Sequence, residues 1–87
     1  MKISDAIKVK MNDVGVTSAE LSRRCKVTPQ TMSGRLHDRR AMSCDMVIDM
    51  LGKIGCQLAV VPIGVSLPKT AVLVDEHSEP YLNRKED

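Results

Sequence analysis

From Ile3 to Ile54 the apolar residues recur at intervals of three and four, and at Gln57 that rhythm stops. Beyond it stand LAVVPI and then TAVLV, a pair of short β-branched runs bounded by Pro62, Gly64 and Pro68. The first pattern is that of helices with one buried stripe, the second that of strands joined by a loop. Composition narrows the choice further. The 87 residues include one tyrosine and no phenylalanine or tryptophan, so a core has to be assembled from Leu, Ile, Val, Met and Ala. Such side chains suit helix-on-helix packing, and their dominance argues against binding modes that stack bases on aromatic platforms. A chain this short forms one small domain that buries only about 60% of its unfolded surface, so oligomerisation would help it.

Ile3, Ala6, Ile7, Met11 and Val14 place a first helix over 4–13, with Ser4 as its N-cap and Gly15 closing it. Thr17 and Ser18 precede a second, short helix over about 18–25, where Ala19, Leu21 and Cys25 supply the inward face. Lys26-Val27 is long enough only for a turn. Thr28-Pro29 then reads as an N-cap with proline in the first helical position, opening a third helix over 29–37. Met32 and Leu36 form its narrow apolar edge. HDRRAM is a loop, Ser43 caps a fourth helix, and Val47, Ile48, Leu51 and Ile54 line that helix's inner side up to Gly55. Two strands are marginal in water, so those after Gln57 must pack on the helices or pair with a second copy.

Charge is uneven. Residues 1–55 carry ten Lys/Arg against six Asp/Glu, whereas 56–87 carry three against five. Between Arg23 and Arg40 six basic residues face one acid, Asp38, which is either a solvated charged face or a surface for a polyanion. Cys25, Cys44 and Cys56 form no Cys-x-x-Cys pair and read as small buried hydrophobes in a reducing compartment, with neither metal nor disulfide. Met11, Met32, Met42, Met46 and Met50 read as core fillers. His37 and His77 lack the carboxylate pairs, nucleophile or phosphate loop of an enzyme, so the expectation is a non-enzyme without cofactor. With no basic-then-apolar leader and no apolar run of ~18–20 residues, the expected location is the cytoplasm, away from membranes.

A short helix, a tight turn and a second helix with a polar outer face form the helix-turn-helix arrangement, which lays the second helix in the major groove of DNA. LSRRCKVTPQTMSGRLHDRRAMSCDMVIDMLGKIG resembles the helix-turn-helix of the Cro/repressor (Xre-type) family over about residues 3–56. Leu21-Ser22, Cys25, Lys26-Val27-Thr28 and Met32-Ser33 stand where that family's consensus has leucine-alanine, an apolar residue, glycine-valine-serine and isoleucine-serine. Two positions depart: Lys26 replaces the turn glycine, and Gly34 lies inside the recognition helix.

The resemblance implies that Pro29, Gln30, Thr31, Ser33 and Gly34 face the groove, with Arg35 at its edge. Gln30 could pair bidentately with adenine, Thr31 touch a thymine methyl, and Arg35 reach a guanine or a phosphate. Gln30 and Thr31 could equally serve the helix start, and Gly34 could permit tight packing instead of close approach to DNA. Ser18, Lys26, Thr28, Arg39, Arg40 and Ser43, with His37 beside them, are the phosphate-binding set. The expected fold class is mainly α: a four-helix, repressor-like unit over 1–56, a C-terminal β-strand or hairpin over 57–75, and a disordered tail over 76–87. The strand after the last helix resembles one that HipB-like antitoxins pair across a dimer. Leu58, Val60, Val72 and Val74 would then bury the interface, unless the hairpin folds back within its own chain.

Two functions fit these features. One is a homodimeric, sequence-specific repressor of phage or mobile-element type that occupies double-stranded DNA at an inverted-repeat operator. The other is a protein-binding regulator, an antitoxin or a phage-encoded nuclease inhibitor of anti-CRISPR kind, which the acidic C-terminal segment favours.

Overall fold

The computed structural model describes residues 1–77, and within them the chain is mainly helical: α1 Ile3–Val14, α2 Ser18–Cys25, α3 Pro29–Leu36 and α4 Cys44–Gly52. Three of the four starts carry the expected side-chain caps. The Thr17, Thr28 and Ser43 hydroxyls each accept a hydrogen bond, at 3.1 Å, from the backbone N–H three residues on. Pro29 stands at the first position of α3, where its missing N–H costs nothing. The helix α1 differs. Lys2 occupies its cap position without a side-chain hydrogen bond, and Ser4 is a fully buried residue of the first turn instead of the expected cap.

Three helix ends close in the same way. Val16, Val27 and Cys56 each donate a backbone N–H to the carbonyl five residues back, with Gly15, Lys26 and Gly55 in the left-handed region just before them. These are paired 6→1 and 5→2 closures that absorb otherwise unpaired helical carbonyls. Glycine does this freely, whereas Lys26, at φ 60°, carries roughly 1 kcal/mol of conformational cost.

Ile7, Met11, Leu21, Met32, Leu36, Val47, Met50, Leu51 and Ile54 form one buried cluster, edged by Ile3, Val16, Cys25, Val27, Met42 and Cys56. In it α3 packs on α1 and α2, and α4 packs on α2. The inner stripe of α4 is Val47, Met50, Leu51 and Ile54. Ile48, expected inside, is half exposed, because the helix turns that position away once 47, 50, 51 and 54 face α2. Met46 is exposed too and so is not a core filler, and Met42 is partly buried. Cys44 is exposed at the first position of α4, and Cys25 and Cys56 are only half-buried, so none of the three cysteines is the fully buried hydrophobe expected.

After Cys56 the chain runs as an arm without helix, turning where Val65 N–H donates to the Pro62 carbonyl and Ala71 N–H to the Pro68 carbonyl. Among the described residues no strand ladder forms in it; the only β contact is an isolated parallel bridge between Lys2 and Glu76. Glu76, in the expected tail, is thus tied back to the start of the chain, and the rest of that tail, from residue 78 on, lies outside the described residues. Asp75 N–H donates to the Met1 carbonyl at 3.1 Å and Lys10 Nζ donates to the Thr70 carbonyl, so the arm leaves at α4 and returns beside α1. Between these points Val60 is 97% and Ile63 104% exposed, with Leu58 and Val74 exposed and Val72 half-buried. Among the described residues the β-branched runs find no paired strand.

Candidate nucleic-acid interface

The helix α3 divides cleanly. Met32 and Leu36 are buried in the core, while Pro29 and Gln30 are exposed and Thr31, Ser33 and Arg35 are half-buried. The Gln30 amide is exposed and makes no side-chain hydrogen bond among the described residues. Thr31 is committed to the helix start: its N–H donates to Thr28 Oγ1, and the Thr28 hydroxyl donates in turn to Thr31 Oγ1 at 2.9 Å. His37, exposed at the end of α3, places Nδ1 2.9 Å from the Ser33 carbonyl and 3.4 Å from Ser33 Oγ, so Ser33 is drawn toward that end.

Gly34 is buried, not open to a groove. A Cβ built there would stand 2.9–3.1 Å from Cδ, Cγ and Nε of Arg40, whose side chain lies over it. Of the two readings left open by the sequence, tight packing is the one the geometry meets.

The cations sort into two groups. Arg23 and Arg24 both pair with Glu20, and Arg24 also donates to the Lys53 carbonyl at 2.8 Å. Hydrogen bonds from Arg23 and then Arg24 hold the Glu20 carboxyl below its ordinary range. Lys26, Arg35, Arg39 and Arg40 form no salt bridge among the described residues. Lys26 precedes α3, and Arg39 and Arg40 follow it. The eight residues of α3 rise about 12 Å, and the cations without a carboxylate partner stand before and after it in the chain, with the Arg40 side chain folded back over Gly34. Ser18 is exposed at the first position of α2, Thr28 is exposed before α3, and Ser43 is exposed with its hydroxyl occupied by the Met46 N–H.

Burial, and then the Asp49 carboxylate, push the Cys25 thiol above its ordinary range, against smaller opposing effects of the Lys53 and Arg35 charges.

One group has no sequence motif of its own. Asp38 adopts φ 61°, and its carboxylate accepts from the buried Ser4 hydroxyl at 2.8 Å and from Lys2 Nζ at 3.5 Å. This clasp ties the loop after α3 to the start of α1. Its one sequence signal is a lone acid within a basic segment, of a residue type that tolerates the left-handed region. Among the described residues no three His, Cys, Asp or Glu side chains gather as metal ligands, and no helix is long and apolar enough to cross a membrane. Comparisons with protein-family models, curated proteins and solved structures give no match.

The Leu58, Val60, Val72 and Val74 set does not come together with the α3 face. It lines a cavity with Ile3, Ala6 and Lys10 of α1 and Leu51 of α4, to which α3 contributes no residue.

Proposed function

We propose that this protein is a double-stranded DNA-binding regulator, a repressor of Cro/repressor type, that lays α3 in the major groove. The observation carrying this reading is the arrangement of charge: the unpaired cations Lys26, Arg39 and Arg40 stand before and after a helix whose outer face offers an uncommitted amide, Gln30. Phosphate contacts from these cations set affinity and register, and Gln30 reads an adenine edge. A single helix reads only a few base pairs, so the working form is a two-fold dimer on half-sites about one turn apart. Pairing of arm residues 57–75 between copies supplies the dimer contact, with Leu58, Val60, Val72 and Val74 covered by the second chain. Repression follows from occupying a promoter, with no cofactor.

Selection of bound duplexes from a random pool, at one fixed moderate salt concentration, tests the reading. The expected result is an inverted repeat, with Gln30→Ala relaxing one base-pair position at a loss of about 1–3 kcal/mol. Sequence-indifferent capture, with Gln30→Ala changing nothing, would overturn the assignment of base readout.

The exposed apolar arm favours a second reading, in which it binds a different protein, such as a toxin or a nuclease. A monomer in solution whose arm substitutions leave DNA binding intact would move the weight there.

A further inference from the structure

Gly34 is costly where it stands. A glycine inside a helix gives up about 1 kcal/mol against alanine, and Gly34 is buried, so solvent-side freedom does not explain it. Leaving aside its chain neighbours and the backbone of α3 itself, the three atoms nearest its missing Cβ all belong to Arg40: Cδ at 2.9 Å, Cγ at 3.0 Å and Nε at 3.1 Å. The same residue holds the loop by its backbone, since the Gly34 carbonyl accepts from the N–H of Arg39 at 2.8 Å and of Arg40 at 3.1 Å. On the other side Asp38 bends the chain through a left-handed conformation that L-residues resist, fixed by Ser4 and Lys2. Two unfavourable local choices thus converge on one outcome. The Arg40 stem is laid flat against α3 while its guanidinium has no carboxylate partner among the described residues.

We infer that Gly34 and Asp38 are positioning residues for Arg40, which they hold ready as a clamp for a DNA backbone phosphate, and that Gly34 is not itself read by a base. The inference rests on the DNA-binding reading above and specifies how one of its contacts is built. An arginine stem already packed on the helix has lost much of its rotamer freedom before phosphate arrives, so less is lost on binding. An alanine at 34 forces Nε and the two carbons aside and takes the guanidinium with them, although the helix itself gains propensity.

The test is a double-mutant cycle. Gly34→Ala, Arg40→Ala and the double variant are compared with wild type for binding to the selected duplex, or to a random-sequence duplex if selection returns none, across a salt series. Melting followed by circular dichroism runs in parallel. Gly34→Ala is expected to weaken binding about tenfold, the scale of one charge-assisted hydrogen bond. It should lower the salt slope by about 0.9, the value of one phosphate contact, with a melting temperature no lower than wild type. In the Arg40→Ala background the same change should do nothing further, because the atoms it displaces are gone.

Additive losses, an unchanged slope, or a loss that merely follows a lower melting temperature would overturn the positioning role while leaving DNA binding standing. Wild type with no salt-sensitive binding to either duplex sinks both. Should Gly34→Ala fail to fold, the double variant decides: recovery of folding places the conflict at Arg40, and failure places it elsewhere and refutes the inference.

Discussion

The helical unit over 3–56 and the arm over 57–75 are both rich in aliphatic residues and dispose of them in opposite ways. In the helices Ile7, Leu21, Met32 and Met50 are wholly removed from water, whereas in the arm Val60 and Ile63 are almost wholly in it. Hydrophobic composition alone therefore does not decide burial; periodicity together with an available partner does. A helix satisfies its own backbone and needs only a second apolar stripe, which α1, α2, α3 and α4 supply to one another. A strand needs another strand for its N–H and C=O groups, and the arm has none among the described residues.

The strongest way to break this contrast is to truncate one residue from each region. Leu21→Ala should cost about 2–5 kcal/mol, a large share of the 5–15 kcal/mol typical of a whole domain. Ile63→Ala should leave the unfolding midpoint of dilute protein unchanged. Urea titrations followed by circular dichroism at low concentration make the comparison, and a comparable loss at Ile63 would mean that the arm belongs to the monomer's core.

Next in size is Asp38→Ala, expected to cost about 2 kcal/mol. It leaves the buried Ser4 hydroxyl without a partner and puts alanine in a left-handed conformation. Asp38→Gly sharpens the result, because it removes the carboxylate but tolerates the backbone; an equal cost for the two would show that the clasp, not the turn, carries the effect.

The smallest effect runs the other way. Lys26→Gly should stabilise the unit by about 1 kcal/mol, raising the melting temperature by ~4–8 °C, by relieving φ 60° at the end of α2. No change would mean that the lysine stem recovers its conformational cost through contacts of its own.

Local signals are the legible ones. Thr28-Pro29, Ser43, Gly15 and Gly55 mark starts and stops that depend on residues no more than five apart, and all four positions act as their chemistry suggests. The features that sequence does not reveal depend on distance or on a choice among neighbours. Ser4 reads as a cap until Asp38, 34 residues away, is seen to take its proton-donating hydroxyl. Ile48 and Met50 compete for the same stripe, and only the seat of α4 on α2 decides between them. Gly34 reads as a groove contact until Arg40 is found over it. The β-branched runs after Gln57 read as strands from composition alone, and a strand's partner is not written in its own sequence. At the candidate interface Gln30, Lys26, Arg39 and Arg40 are exposed, whereas Thr31 proves to be engaged with the helix cap.

The aliphatic core has an optical consequence. With no tryptophan or phenylalanine in the chain, and its one tyrosine at position 81 beyond the described residues, the helical unit carries no intrinsic fluorophore. It is dark to tryptophan-selective excitation whether folded or not. A single tryptophan introduced at Ile63 would therefore emit from the arm alone. Its spectrum would shift to the blue when a second copy or a foreign protein came to cover that site, without correction for the rest of the molecule.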